Sequence, residues 1–148
     1  MTNLHVVVVE DDIQSLEIVN DTLIKNGYKV DSFTDGLESY KFILNNADNI
    51  NVIILAKTLP NIAGMEMLTK IQNNDRLKDI PVIIITVDSI EGHYQDAIKM
   101  GAQFYVNKPI DPKKILRLVK AAGRFRLAVA DNDSFVNKIL RHRSDLES

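Results

Sequence analysis

The chain alternates between short, unbroken apolar runs and longer stretches in which apolar residues recur every three or four positions. The runs Leu4 to Val9, Val52 to Leu55 and Val82 to Ile85 are rich in β-branched residues, and each ends at polar residues or a turn. Without period-two alternation they predict strands buried on both faces of a parallel sheet. Tyr28 to Phe33 and Gln103 to Asn107 are more mixed, as edge strands are. Helical spacing links Ile13, Leu16, Val19 and Leu23; Leu37, Tyr40 and Leu44; Met65, Leu68 and Ile71; Ile90, Tyr94, Ala97 and Ile98; and Ile115, Leu118, Val119 and Ala122. That spacing puts each set on one helix face. Gly27 and Gly101 follow the first and fourth helices, and Pro112 opens the fifth, which are favoured places for those residues. Five strand–helix pairs in succession predict an α/β fold, an open parallel sheet wound on both faces.

In such a sheet, ligands collect beyond the carboxyl ends of the strands, so those ends are read together. The first ends at Glu10, Asp11 and Asp12, the third at Ala56, the fourth at Thr86, and the fifth runs into Lys108. Acids, a hydroxyl and an ammonium thus converge around an alanine. Clustered acids favour a cation among them, and hard oxygen donors with water suit Mg²⁺. The lysine and threonine supply charge and a hydrogen-bond donor for a phosphoryl group. What this set lacks is a nucleophile, a role that a carboxylate can fill by forming an aspartyl phosphate.

Composition narrows the classes. At 148 residues and 45% hydrophobic content the chain suits one domain with a real core and a short appendage. It has no cysteine, which excludes disulfides, thiolate nucleophiles and cysteine-held metals. The first residues, MTNLHVVVVEDD, lack a basic flank and a long apolar stretch, so the expectation is a cytoplasmic protein with no membrane association. Charge divides unevenly: residues 1–112 hold 9 Lys and Arg against 16 Asp and Glu, and residues 113–148 hold 9 against 4. The basic residues of the end are spread over a helical pattern and a loop, which reads as a solvated surface more than as a nucleic-acid patch.

The strand-end residues carry a family resemblance. Over residues 4 to 122 the chain resembles a two-component response-regulator receiver domain of the CheY-like kind: VVVVEDD is similar to its acid pocket, LAKTLPNIAG to its phosphoacceptor turn, VIIIT to its switch hydroxyl, and GAQFYVNKPID to its aromatic switch and lysine. Thr86 lies 30 residues and Lys108 lies 52 residues after position 56, and Pro60 lies four after it; these intervals are typical of the family. The resemblance implies a flavodoxin-like sheet of order 2-1-3-4-5 and a non-enzymatic signalling module fed by a histidine kinase or phosphotransfer protein. It implies Glu10 and Asp11 as Mg²⁺ ligands, Thr86 and Lys108 as phosphoryl contacts, Tyr105 as the side chain that turns on activation, and a cis Lys108-Pro109 bond. Ala56 stands where the family has its phosphoacceptor Asp, so phosphorylation there is lost and any Mg²⁺ binding should be weak. Two origins of Ala56 fit the sequence, a natural pseudo-receiver and an engineered Asp→Ala variant; Lys57 and Thr58, where the family more often has apolar residues, favour the first, and the retained site residues favour the second.

Blander readings stand beside these. Asp12 also suits a helix cap, Thr86 a β-prone strand end, and Tyr105 plain packing. Asp88, the nearest spare carboxylate, is expected to face solvent at the next helix start, and His5, His93 and His142 have no ligand spacing. Other functions to weigh are a small flavodoxin-like nucleotide or cofactor binder, although no glycine-rich phosphate loop is present, and DNA binding by the basic end. The receiver is assigned to 1–123 and a tail to 124–148. LAVADNDSFVNKIL in the tail is similar to VVVVEDDIQSLEIV at an offset of 121 residues, with Glu10, Asp12 and Ile18 falling on Asp131, Asp133 and Ile139. This is the pattern of a truncated second receiver or of a linker to an output domain. The implied partners are the phosphodonor protein, an output domain or downstream protein, and a second copy of the chain.

Overall fold

A computed structural model describes residues 4–126, Ser89 excepted; the tail motif and His142 lie outside the described residues. In chain order the elements are β1 (His5–Val9), α1 (Ile13–Lys25), β2 (Lys29–Phe33), α2 (Gly36–Asn45), a 3₁₀ turn (Ala47–Asn49), β3 (Val52–Ala56), α3 (Gly64–Gln72), β4 (Val82–Thr86), α4 (Glu91–Lys99) and β5 (Phe104–Asn107). A further helix, α5, follows over 112–126.

The strands form one parallel sheet of order β2-β1-β3-β4-β5. Every residue of β1, β3 and β4 is buried, whereas β2 and β5 show exposed and half-buried positions. Since successive side chains point to opposite faces, complete burial of the three inner strands means that both faces are covered. Ile53, Ile54 and Leu55 have no exposed surface, and full burial of such a side chain stabilises by roughly 1.5–3 kcal/mol relative to leaving it in water. Sheet order and helix count agree with the sequence expectation, and the two mixed segments are indeed the edges.

Helix ends follow local chemistry. After α1, Gly27 takes φ +88°, its N–H donates to the Ile24 carbonyl and that of Tyr28 to the Leu23 carbonyl. After α4, Gly101 takes φ +107°, its N–H donates to the Ile98 carbonyl and that of Ala102 to the Ala97 carbonyl. Both are left-handed caps that satisfy the last carbonyls and turn the chain back to the sheet. In this strand order the connections reverse direction between β1 and β3, which opens a crevice at their carboxyl ends.

Candidate functional site

Register levels the strand ends. Val9 pairs with Leu55, Ala56 with Ile85, and Thr86 with Asn107. The residues just past these pairs therefore crowd one edge, and a cavity of about 80 Å³ opens there, lined by Asp11, Ala56, Thr58, Ile85, Thr86, Val87 and Lys108. Four of the six residues singled out in the sequence thus share one wall.

Glu10, the fifth, lies beneath them with no exposed surface. Its N–H donates to the Phe33 carbonyl (2.9 Å), and its carboxylate forms an ion pair with the Lys108 ammonium. Apart from that pair its oxygens have no hydrogen-bond partner among the described residues. Burial pushes the Glu10 carboxyl up from its ordinary range, and Lys108 pulls it back down. Lys108 is held by its backbone, whose N–H donates to the Thr86 carbonyl (2.7 Å), and its bond to Pro109 is cis. Among the described residues no three His, Asp or Glu side chains form a metal-holding group.

Asp12 takes the cap position of α1. It is exposed, accepts from the Ser15 hydroxyl (2.6 Å), and that bond is the main reason its carboxyl lies below the ordinary range. It thus holds the cap position by its backbone, while its side chain makes no capping bond to a helix N–H.

The turn after β3 is shaped by close packing. The N–H of Gly64 donates to the Lys57 carbonyl (2.9 Å), and a Cβ added at Gly64 would sit 2.0 Å from the Ala56 carbonyl oxygen. Within the turn Asn61 adopts φ +68° and donates through its side chain to Asp35. Asp35 caps α2 as well, accepting from the N–H groups of Leu37 (2.7 Å) and Glu38 (3.1 Å).

Thr86, 5% exposed, accepts from the Asp88 N–H through Oγ1 (3.0 Å). Tyr105, the sixth, is away from the cavity wall. Its hydroxyl donates to the Asp88 carbonyl (3.2 Å) and its ring meets Tyr94 edge-on at 5.6 Å. Asp88 itself corrects the sequence expectation: its side chain is 18% exposed, pairs with the Lys57 ammonium and contacts His93 Nδ1, because β3 and β4 are neighbours and Lys57 and Asp88, just past their ends, face each other. Lys57 and His93 were missed as members of this edge. The adjacency of the two strands was the available signal. His5, at the opposite end of β1, is buried and contacts Asp31 (2.5 Å) and the Asn49 carbonyl (3.2 Å).

Comparison with known proteins supplies the family. The family model for "Response regulator receiver domain" matches residues 6–120. A probable transcriptional regulator, ycf29, of Porphyra purpurea is 34% identical over 119 residues, covering 78% of this chain and 54% of that protein. The two-component response regulator-like APRR5 of Arabidopsis thaliana is 32% identical over 133 residues, covering 89% of this chain but 24% of that protein. The chain therefore spans only part of the length of these relatives. Among solved structures, chemotaxis response regulator CheY4 of Vibrio cholerae superposes with TM-score 0.71 at 26% identity, covering 82% of this chain and 99% of the other. The CheX-CheY-BeF3-Mg²⁺ complex of Borrelia burgdorferi gives TM-score 0.75 at 27% identity, with coverages of 80% and 87%. These likenesses favour a signalling module over a cofactor binder, and the extent of the family match is decisive: the chain belongs to the response-regulator receiver domains.

Proposed function

We propose that this receiver works through protein contacts without being phosphorylated at the end of β3, and that Ala56 occupies the phosphoacceptor position. The observation that carries the reading is the Ala56 methyl, 2% exposed and set on one small cavity wall with Asp11, Thr86 and Lys108. A methyl group cannot attack phosphorus. In this reading Glu10 and Asp11 are the Mg²⁺-binding acids, Thr86 and Lys108 the phosphoryl contacts, and Tyr105 the switch aromatic. The donor set that remains, one exposed carboxylate and one already engaged by Lys108, suits a Mg²⁺ held weakly and mainly through its own water. When bound, the ion supplies positive charge to the phosphoryl oxygens.

The upstream partner class is a histidine kinase or phosphotransfer protein. The downstream one is an output domain, a partner protein or a second copy, meeting the face of α4, β5 and α5. A receiver body over 1–123 with a tail over 124–148, working in the cytoplasm, completes the proposal. The likeness to a CheY solved with CheX, BeF3 and Mg²⁺ supports the partner and ion classes.

Intact mass after treatment with acetyl phosphate and Mg²⁺, run on this chain and on Ala56→Asp, tests the reading. The expected result is a phosphoryl gain by the variant alone. Labelling of the unaltered chain sinks the proposal, and failure of both means that the pocket has lost more than its nucleophile.

A further inference from the structure

Asp88 engages every polar atom it has. Its N–H donates to Thr86 Oγ1 (3.0 Å), its carbonyl accepts from the Tyr105 hydroxyl (3.2 Å), Oδ1 accepts from the Ile90 N–H (2.9 Å), and Oδ2 takes both the Lys57 ammonium and His93 Nδ1. Lys57 Nζ also lies 3.2 Å from His93 Nδ1. One residue thus ties together the end of β3, the end of β4, the first turn of α4 and the aromatic ring of β5.

The charges are partly withdrawn from water. Lys57 and Asp88 side chains are 20% and 18% exposed, so their pairing is less screened than that of a free surface pair. His93 is more open at 46%, and Asp96 lines the same shallow cavity as Lys57 and His93. The Asp88 carboxyl lies well below the usual carboxylate range, chiefly because of Lys57, then of the Ile90 N–H and His93. None of this needs a phosphoryl group.

We infer that Lys57, Asp88 and His93 form a built-in ionic latch that fixes the start of α4 and, through the Asp88 backbone, the settings of Thr86 and Tyr105. This rests on the reading of the chain as a phosphorylation-independent receiver and adds what regulates it. The position of the switch pair is then set by charge pairing between β3 and α4 rather than by an event at Ala56. Lys57, a departure from the family's usual apolar residue, gains a purpose. Loss of either charge frees the first turn of α4 while leaving the inner sheet intact.

Backbone amide hydrogen exchange on the full chain tests this, comparing Lys57→Met, Asp88→Asn and the double variant with the unaltered protein. Lys57→Met keeps the aliphatic stem, and Asp88→Asn keeps an acceptor for the Ile90 N–H. Exchange at the Asp88 and His93 amides should accelerate about tenfold in each single variant, with Val7 and Ile54 unchanged. The double variant should add less than about twofold, because both changes remove one shared interaction. Unchanged exchange at Asp88 and His93 overturns the latch, and so does equal acceleration at Val7 and Ile54, which reports loss of global stability. Intact mass after acetyl phosphate and Mg²⁺ is read separately: labelling of the unaltered chain overturns the phosphorylation-independent reading, while exchange in untreated protein still decides whether the latch exists.

Discussion

Asp35 shows how a single residue on the far side of the turn frames the site. Its carboxylate caps α2 through the Leu37 and Glu38 N–H groups and also holds Asn61, whose backbone bends the β3–α3 turn. These bonds, the Glu38 N–H first, hold its carboxyl below the ordinary value of 3.8. A carboxyl depressed in the folded state contributes stability that is present above its unfolded value and is lost as pH falls through the folded one. Asp35→Asn keeps an oxygen to cap the helix but removes the charge. The variant should therefore have a lower urea midpoint than the unaltered chain at neutral pH, with the gap closing as pH drops below 3.8. A gap of constant size across that range contradicts the argument. At this scale the sequence was legible in position: the strand ends alone put Glu10, Asp11, Thr86 and Lys108 at one sheet edge, where the structure has them. Asp88 was misread because its environment is made by Lys57 and His93, residues 31 positions before and five after it, and no local pattern carries that.

At the scale of elements, the β3–α3 turn is held by absence of a side chain. The start of α3 approaches β3 so closely that a Cβ at Gly64 would press on the Ala56 carbonyl oxygen and, at 2.8 Å, on the Lys57 Cα. One is a backbone atom at the end of the buried strand β3 and the other belongs to the residue after it, so neither can yield by a rotamer change. Gly64→Ala should destabilise the chain by about 1–3 kcal/mol, read from urea unfolding, and should also move the Ala56 and Lys57 amide resonances. A stability within about 0.5 kcal/mol of the unaltered chain shows that the turn is looser than described. The elements themselves were readable because burial dictates their pattern: strands covered on both faces are apolar apart from His5 and Thr86 at their ends, and α1 and α4 end where glycine can adopt positive φ. Strand order was another matter. Apolar runs say that strands are inner or edge, while 2-1-3-4-5 came from the family resemblance, since periodicity carries no pairing information.

For the molecule as a whole, the proposed Mg²⁺ site predicts that folding and the cation are linked. Ala56 is 2% exposed and faces a cavity beside Asp11, with buried Glu10 nearby and Lys108 already committed to Glu10. Placing a carboxylate there by Ala56→Asp removes it from water and sets it against two like charges, and both effects disfavour its ionised form. Without a divalent ion the variant should be less stable than the unaltered chain by about 1–3 kcal/mol. A third oxygen donor also completes a better Mg²⁺ site, and an ion that binds only the folded state stabilises it by RT ln(1 + [L]/Kd), about 2.7 kcal/mol at 100 times Kd. Saturating Mg²⁺ should therefore close or reverse the gap in the variant, while the unaltered chain, which in the proposed reading offers the ion only two carboxylates, should gain little. Urea unfolding of both proteins with and without MgCl₂ separates the possibilities. Equal stability without Mg²⁺ means that the edge is not electrostatically crowded, and equal Mg²⁺ gains mean that the ion does not use the β3 end. Crossing of the two curves is the outcome expected of the proposed site, in which an alanine at position 56 takes one carboxylate away from both the crowded edge and the ion.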